Sequence, residues 1–435
     1  MARRVAVAPP RSLAVVGAGW AGLAAAVHAR EGGRRVTVFD MAPYPGGRAR
    51  TVALPGGGVI DNGQHILIGA YRETLALMSR VGVDVDSLLM RRPLELRYPD
   101  GSGLKVTAGP PLVGFALGVL TARGWTFAAR RDFLRTAWYW WRDGMRNPGV
   151  ATVTELCAGL PETVRAGLIE PLCVAAMNTH ADEACATIFL RILADALFAA
   201  RGGSDLLLPR VGLSDLLPKR ATQWLEQRGA TVVLGRRVNV VEAATDRWLV
   251  DGELFDDVVL ACPANEAARI VRLIVPSWSA QADALRHEPI ATVYLRRPGP
   301  ALKLPMLALR ADGDNPAQFV FDLEVLGPSQ GTLAFVVSGA APWLFDGLDA
   351  LVQRVRSQAL RELPGQFNGE LPAVVHAAAE RRATFACTPR LQRPSMAVAP
   401  GLVAAGDYVE GPYPATLEGA VRSGLRAARN ILQSE

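Results

Sequence analysis

The sequence predicts an α/β protein: a doubly wound, Rossmann-like domain with a second domain interleaved through it, the latter carrying helices and a mixed or antiparallel sheet. Three observations predict it. A short apolar run, Ser12 to Val16, feeds into Gly17-Ala18-Gly19-Trp20-Ala21-Gly22, and a second β-branched run, Val36 to Phe39, ends on Asp40. A further apolar run, Pro400 to Ala405, enters Gly406-Asp407 near the carboxyl end, so the two ends of the chain carry matching strand-to-turn signals. The 435 residues exceed what one core of ordinary size needs, and half are hydrophobic, which excludes disorder, collagen-like repeats and coiled coil.

The amino-terminal elements form a β-α-β unit. Ala21 to Arg30 is rich in Ala and Leu, and Gly32-Gly33 stops that helix before Val36. Gly17 permits the tight turn, Gly19 lets backbone approach a pyrophosphate, and Gly22 lets helix and strand pack closely. The pyrophosphate would rest on the helix N-terminus, where unpaired N–H groups and the dipole favour an anion. Asp40 is placed to accept hydrogen bonds from a ribose. Pro45-Gly46-Gly47-Arg48 follows: two glycines let backbone close on a cofactor, and Arg48 offers charge and a donor fork.

Ile60-Asp61-Asn62-Gly63-Gln64-His65 is a polar cluster ahead of an apolar run, suiting a turn that carries polar groups to a pocket edge. Val106 to Ala122 and Val325 to Phe345 are long uncharged stretches, but glycines and prolines interrupt both, so neither reads as a membrane span. Between them, Trp125, Phe127, Phe133, Trp138, Tyr139, Trp140 and Trp141 alternate with Arg123, Arg130, Arg131, Arg135, Arg142 and Arg146. Indoles favour headgroups and arginines snorkel toward anionic lipid, so this segment reads as a membrane-surface patch, with buried packing the competing reading. No RNP, OB or helix-turn-helix pattern accompanies it, and the net charge of +6 is diffuse, so nucleic acid is not expected as a partner.

Ala230 to Glu242 reads as strand, turn and strand, and Phe255 to Ala261 as a buried strand. Near the end, Pro414-Ala415-Thr416-Leu417-Glu418-Gly419-Ala420 opens a helix. The five cysteines contain no C-x-x-C pair and the five histidines no H-E-x-x-H, so neither a disulfide framework nor a metal site is expected. Arg3-Arg4 is followed by Pro9-Pro10-Arg11 rather than an export h-region, and the chain reads as cytoplasmic, with a peripheral place on the inner membrane face open.

The amino-terminal glycine turns and the Gly406-to-Gly424 segment together resemble the flavin amine oxidase and carotenoid desaturase superfamily. Adding Ile60 to Tyr71, Pro171 to Thr179 and Gly203 to Lys219, the chain resembles the squalene-associated flavoproteins called hydroxysqualene dehydroxylases nearly end to end. Asp40 stands where the wider superfamily more often has glutamate, which shortens reach without changing charge. The resemblance implies noncovalent FAD, held by Gly17, Gly19, Gly22, Asp40, Gly46, Gly47, Arg48, Gly406, Asp407, Thr416 and Ala420, with Val238 offering main-chain contact to the adenine. It implies an FAD-binding domain of residues 1–85, 204–285 and 384–435, and a substrate-binding, membrane-facing domain of residues 86–203 and 286–383.

The implied reaction is reduction of hydroxysqualene, a long apolar isoprenoid, to squalene in hopanoid precursor synthesis, with squalene-pathway enzymes as neighbours. Loss of the allylic hydroxyl as water needs an acid and a dry pocket. His65 is the first candidate acid, with Asp61 beside it; His180, Tyr413 and Glu418 stand in reserve. Ala184 to Ala200 and Thr332 to Val337 are candidate pocket lining. A carotenoid or phytoene desaturase, an amine oxidase and a non-catalytic flavin-binding scaffold stay open. No second G-x-G-x-x-G follows a strand, which argues against a built-in NADPH domain and leaves the electron donor open.

Overall fold

The computed structural model describes residues 10–54, 57–198, 200–327 and 329–433. Arg3, Arg4, Pro9, Ala199 and Pro328 lie outside the described residues. A six-stranded sheet runs in the order Thr231–Leu234, Arg35–Asp40, Ser12–Val16, Asp257–Leu260, Leu402–Ala404, Ala397–Ala399. The first five strands are parallel and the sixth folds back antiparallel on the fifth. Three remote stretches of sequence therefore meet in one sheet around Ser12–Val16.

That central strand is buried throughout, as a parallel strand covered on both faces must be. Its side chains alternate between two cores: Leu13 and Val15 pack with the helices Trp20–Glu31, Pro218–Gln227 and Leu417–Gln433, while Ala14 and Val16 face the opposite side. There a small antiparallel sheet, Val241–Ala244, Arg247–Val250 and Glu253–Phe255, covers the surface, with Phe255 edge-on to Phe39.

The expected strand, turn and strand from Ala230 to Glu242 is present, its two strands in different sheets, and one expected strand is corrected here. Thr231–Leu234 belongs to the large sheet, but residues 235–240 cross over without strand structure, and the next strand, Val241–Ala244, joins the small sheet. The expected strand from Phe255 to Ala261 splits likewise, with Asp256 at the break accepting hydrogen bonds from Ser12 N (2.6 Å) and Oγ (2.7 Å). One apolar pattern served two sheets, and period-2 alternation carries no mark of which sheet a strand joins.

The second sheet is antiparallel, in the order Met306–Ala308, Phe319–Asp322, Thr332–Val337, His287–Arg296, Val374–Phe385. Along His287–Arg296, Ala291, Val293 and Leu295 pack with the helix Leu348–Glu362, which leaves Thr292 and Tyr294 on the other face. Asn178, left-handed at the C-terminus of the helix Glu170–Met177, ties this sheet to the helical part. Its amide donates to Glu288 O (3.1 Å) and Thr384 Oγ1 (2.9 Å) and accepts from Gly339 N (2.6 Å). No helix among the described residues is long and apolar enough to cross a membrane.

Candidate functional site

The glycine turn is set by close backbone contact. Gly17 has φ +115°, and a Cβ there would stand 2.5 Å from Ala261 O; a Cβ on Gly22 would stand 1.9 Å from Gly17 O. A second turn closes against the first: Gly46 N donates to Ala18 O at 2.8 Å, and Gly19 pairs with Gly46 as an isolated parallel bridge. A Cβ on Gly19 would meet only Gly47 Cα, at 4.0 Å, so the two turns leave a cradle that side chains would fill. The helix Trp20–Glu31 starts at Gly19 with no side-chain cap, and its first N–H groups point into that cradle, as an anion site requires. Asp40 is already engaged: Oδ2 accepts from Ala18 N (2.6 Å) and Oδ1 from Ala42 N (2.8 Å). The carboxylate thus shapes the turn, and a ribose is left its remaining lone pairs.

The two ends of the chain meet at an ion pair. Arg48 Nη2 donates to Asp407 Oδ1 at 2.6 Å across 359 positions of sequence, and Nη1 donates to Ala383 O at 2.7 Å. Asp407 is buried, Arg48 about a third exposed, and the carboxylate raises the guanidinium pKa above its ordinary value. Gly406 N donates to Ser423 Oγ at 3.1 Å. Ala415 takes a positive φ of +57°, after which Thr416 caps the last helix through Gly419 N (2.9 Å) and accepts from Ala420 N at 3.0 Å. A Cβ on Gly424 would stand 2.1 Å from Ala21 O, so this helix seats directly on the first one.

Tyr408 Oη, buried next to this ion pair, has no hydrogen-bond partner. Open glycine turns, uncapped helix N–H groups and an unsatisfied buried hydroxyl together fit a dinucleotide. Val238 is buried, but its carbonyl already accepts from Arg269 Nη2 at 2.9 Å, so main-chain contact to a base falls to its N–H.

The polar turn lies beside these pieces. Asn62 Nδ2 donates to Arg48 O at 2.9 Å, and Tyr294 Oη donates to Asp61 O at 2.7 Å. The Asp61 carboxylate accepts from Thr51 Oγ1 and Leu213 N, both at 2.9 Å. Burial nevertheless raises its pKa to about 6, because those bonds only partly replace lost hydration. His65 moves oppositely: burial pushes it down to about 4, opposed by a hydrogen bond with the Asn62 backbone and helped to a lesser degree by the Arg48 charge. At neutral pH the imidazole is uncharged and holds no extra proton to give.

The opposite shifts make stability depend on pH in opposite senses. Between pH 4 and 6 the folded chain binds more protons at Asp61 than the unfolded chain does, so this residue's contribution falls as pH rises. His65 binds fewer, so its contribution rises. Asp61→Asn keeps an acceptor for Thr51 and Leu213 and is therefore expected to gain stability over wild type as pH rises through that window, by about 1–2 kcal/mol after solvent screening. Thermal melts of both proteins at pH 4, 5 and 6 check this.

The reserve acids stand elsewhere. Glu418 is fully buried and accepts from Glu73 N, Thr74 N, Thr74 Oγ1 and Arg422 Nε, so it caps the helix Arg72–Arg80 rather than facing a pocket. His180 pairs with Glu170 Oε1 at 3.0 Å, which raises its pKa, on a half-exposed surface. Tyr413 lies under the Arg422 guanidinium. Tyr294 escaped the sequence reading, which gave no role to Tyr408 in the closing segment or to Asn178 in Pro171 to Thr179; alternation along His287–Arg296 could have placed Tyr294 opposite Val293, but nothing local pointed it at Asp61.

The chain is 30% identical to a hydroxysqualene dehydroxylase of Sinorhizobium fredii, over 96% of this chain and 98% of that one. It is 24% identical to a zeta-carotene desaturase of Synechocystis sp., over 97% of each. An oxidoreductase structure from Methanosarcina mazei superposes with a TM-score of 0.73 at 16% identity, covering 96% of this chain and 100% of that one, and shares the fold. The sequence profile of the flavin containing amine oxidoreductases spans residues 20–432, from the first helix to the end of the last. Carrying paired glycine turns and an Arg48–Asp407 ion pair, this chain belongs to that family and is an FAD-dependent oxidoreductase.

Proposed function

We propose that the protein reduces hydroxysqualene to squalene, releasing the allylic hydroxyl as water. The observation that carries this reading is the near end-to-end likeness to a hydroxysqualene dehydroxylase, stronger in identity than the likeness to the carotenoid desaturase. The physical setting supports it. An apolar cavity lined by Leu94, Val106, Phe115, Leu168, Leu172 and Phe198 presents no polar surface, as a chain of isoprene units requires. When bound, FAD supplies the hydride.

The chain's own residues orient and protonate. Arg48 and Asp407 lock the two halves of the cofactor cradle, and Tyr294 holds the Asp61 turn from the second sheet. Of the two candidates in that turn, Asp61, with its pKa near 6, is the member able to hold a proton close to neutrality. His65 acts as a neutral hydrogen-bonding group. If so, Asp61→Asn lowers kcat by about 10²-fold or more while flavin content stays full; unchanged turnover would remove Asp61 from proton transfer.

The decisive experiment is anaerobic. The holoprotein is reduced chemically, hydroxysqualene is added, and flavin absorbance and product mass are followed together. Squalene is expected in step with reoxidation. If the reduced protein is inert while the oxidised protein bleaches with a polyene precursor, electrons flow the other way and the chain is a desaturase.

A further inference from the structure

Two adjacent helices, Pro111–Leu120 and Phe127–Arg142, have opposite faces with different tasks. On the first, Phe115 and Val119 are buried, while Leu112, Val113, Leu117 and Leu120 are 40–52% exposed on the other side. On the second, Phe133, Ala137 and Trp140 point inward, while Phe127 (76%) and Trp138 (54%) are exposed. At 100° per residue, Phe127, Arg131, Arg135, Trp138 and Arg142 fall within about 80° of one another, a single outer stripe of aromatic and cationic groups. Residues 123–146 carry six arginines against two aspartates. Exposed aliphatic and indole groups beside surplus positive charge match neither a solvated face nor a packed core.

The inner faces enclose the apolar cavity. Phe115, Phe133, Ala137 and Trp140 line it, and Phe115 closes it through edge-on contacts with Phe133 (5.7 Å) and Phe198 (5.6 Å). The space between them is about 20 Å³, enough for one water, so a long chain enters only if these rings turn aside.

We infer that the outer faces of these helices seat on an anionic phospholipid bilayer, and that the cavity between them is the door through which an apolar chain passes from that bilayer into the protein. The charge selects the surface: arginines near a negative leaflet each contribute about 1 kcal/mol, and the aliphatic and indole groups add insertion at headgroup depth. The entry half rests on the isoprenoid substrate proposed above; the docking half does not.

The test uses the flavin-bound full chain in flotation with vesicles of phosphatidylcholine alone or with a quarter phosphatidylglycerol. Binding to the anionic vesicles is expected. It should weaken at least about tenfold on neutral vesicles, in roughly 0.5 M KCl, or in Val113→Asp/Leu117→Asp, whose flavin content and melting point stay those of wild type. Failure of wild type to float with either vesicle, or equal flotation of the double variant, overturns docking. So does a variant that converts a dimer to a monomer in sedimentation with vesicle binding unchanged, since the face then belongs to a second copy. For entry, the double variant should turn over detergent-dispersed substrate normally and vesicle-held substrate about tenfold more slowly; an equal fall in both overturns the door. Should the proposed reaction itself be wrong, neither presentation yields product while flotation still reports docking.

Discussion

Arg48→Ala is expected to release the flavin. The substitution strands Asp407, a buried carboxylate, without its cation and deprives Ala383 O of its donor. Breaking a fully buried pair costs about 3–5 kcal/mol, and the partial exposure of Arg48 brings this to about 2–3 kcal/mol. If that cost falls on the cofactor-bound state, affinity for FAD drops about 30- to 150-fold. Absorbance after gel filtration, followed by titration of the apoprotein with FAD, measures it. Arg48→Lys is a graded control: an ammonium can meet Asp407 but lacks the planar fork that serves Asp407 and Ala383 together. An alanine variant that stays fully yellow with an unshifted melting point would show that the pair does not hold the site.

Glu418→Ala is expected to destabilise the whole flavin-binding half by about 3–5 kcal/mol, because it leaves the Glu73 and Thr74 N–H groups, the Thr74 hydroxyl and Arg422 without their shared acceptor inside the protein. Denaturant titration followed by tryptophan fluorescence should show the midpoint falling at nearly constant slope. Glu418→Gln, which keeps one acceptor oxygen, should recover about half of the loss. Since the hydrogen bonds of Glu418 go to a helix end and a neighbouring arginine, the glutamine variant should keep its kcat below its new melting point. A loss of kcat with stability intact would instead return Glu418 to the list of proton donors.

These two residues mark where sequence reading succeeds and stops. The glycine positions and the first strand and helix were legible because each depends on short-range constraints such as a positive φ and a Cβ that cannot fit, whereas Thr416, expected at the flavin, proved to cap the last helix. Arg48 and Asp407 were each singled out, but their bond joins positions 359 apart and no local pattern announces it. Glu418 was read only as a reserve proton donor, and its capping role lay in the helix Arg72–Arg80 that folds over it. His65 kept the ordinary character of an exposed histidine until burial and Arg48 surrounded it.

By itself, then, the amino-acid sequence determined the parallel core, the dinucleotide turn and the family, since apolar periodicity and backbone sterics act over short spans and survive translation into any α/β sheet. Only the tertiary structure decided which charges meet, which carboxylate is spent as a cap, and whether Asp61 or His65 can hold a proton. Those outcomes depend on desolvation and on partners brought from distant segments, and an electrostatic energy changes several-fold with a few ångströms of burial while the residue's identity stays the same.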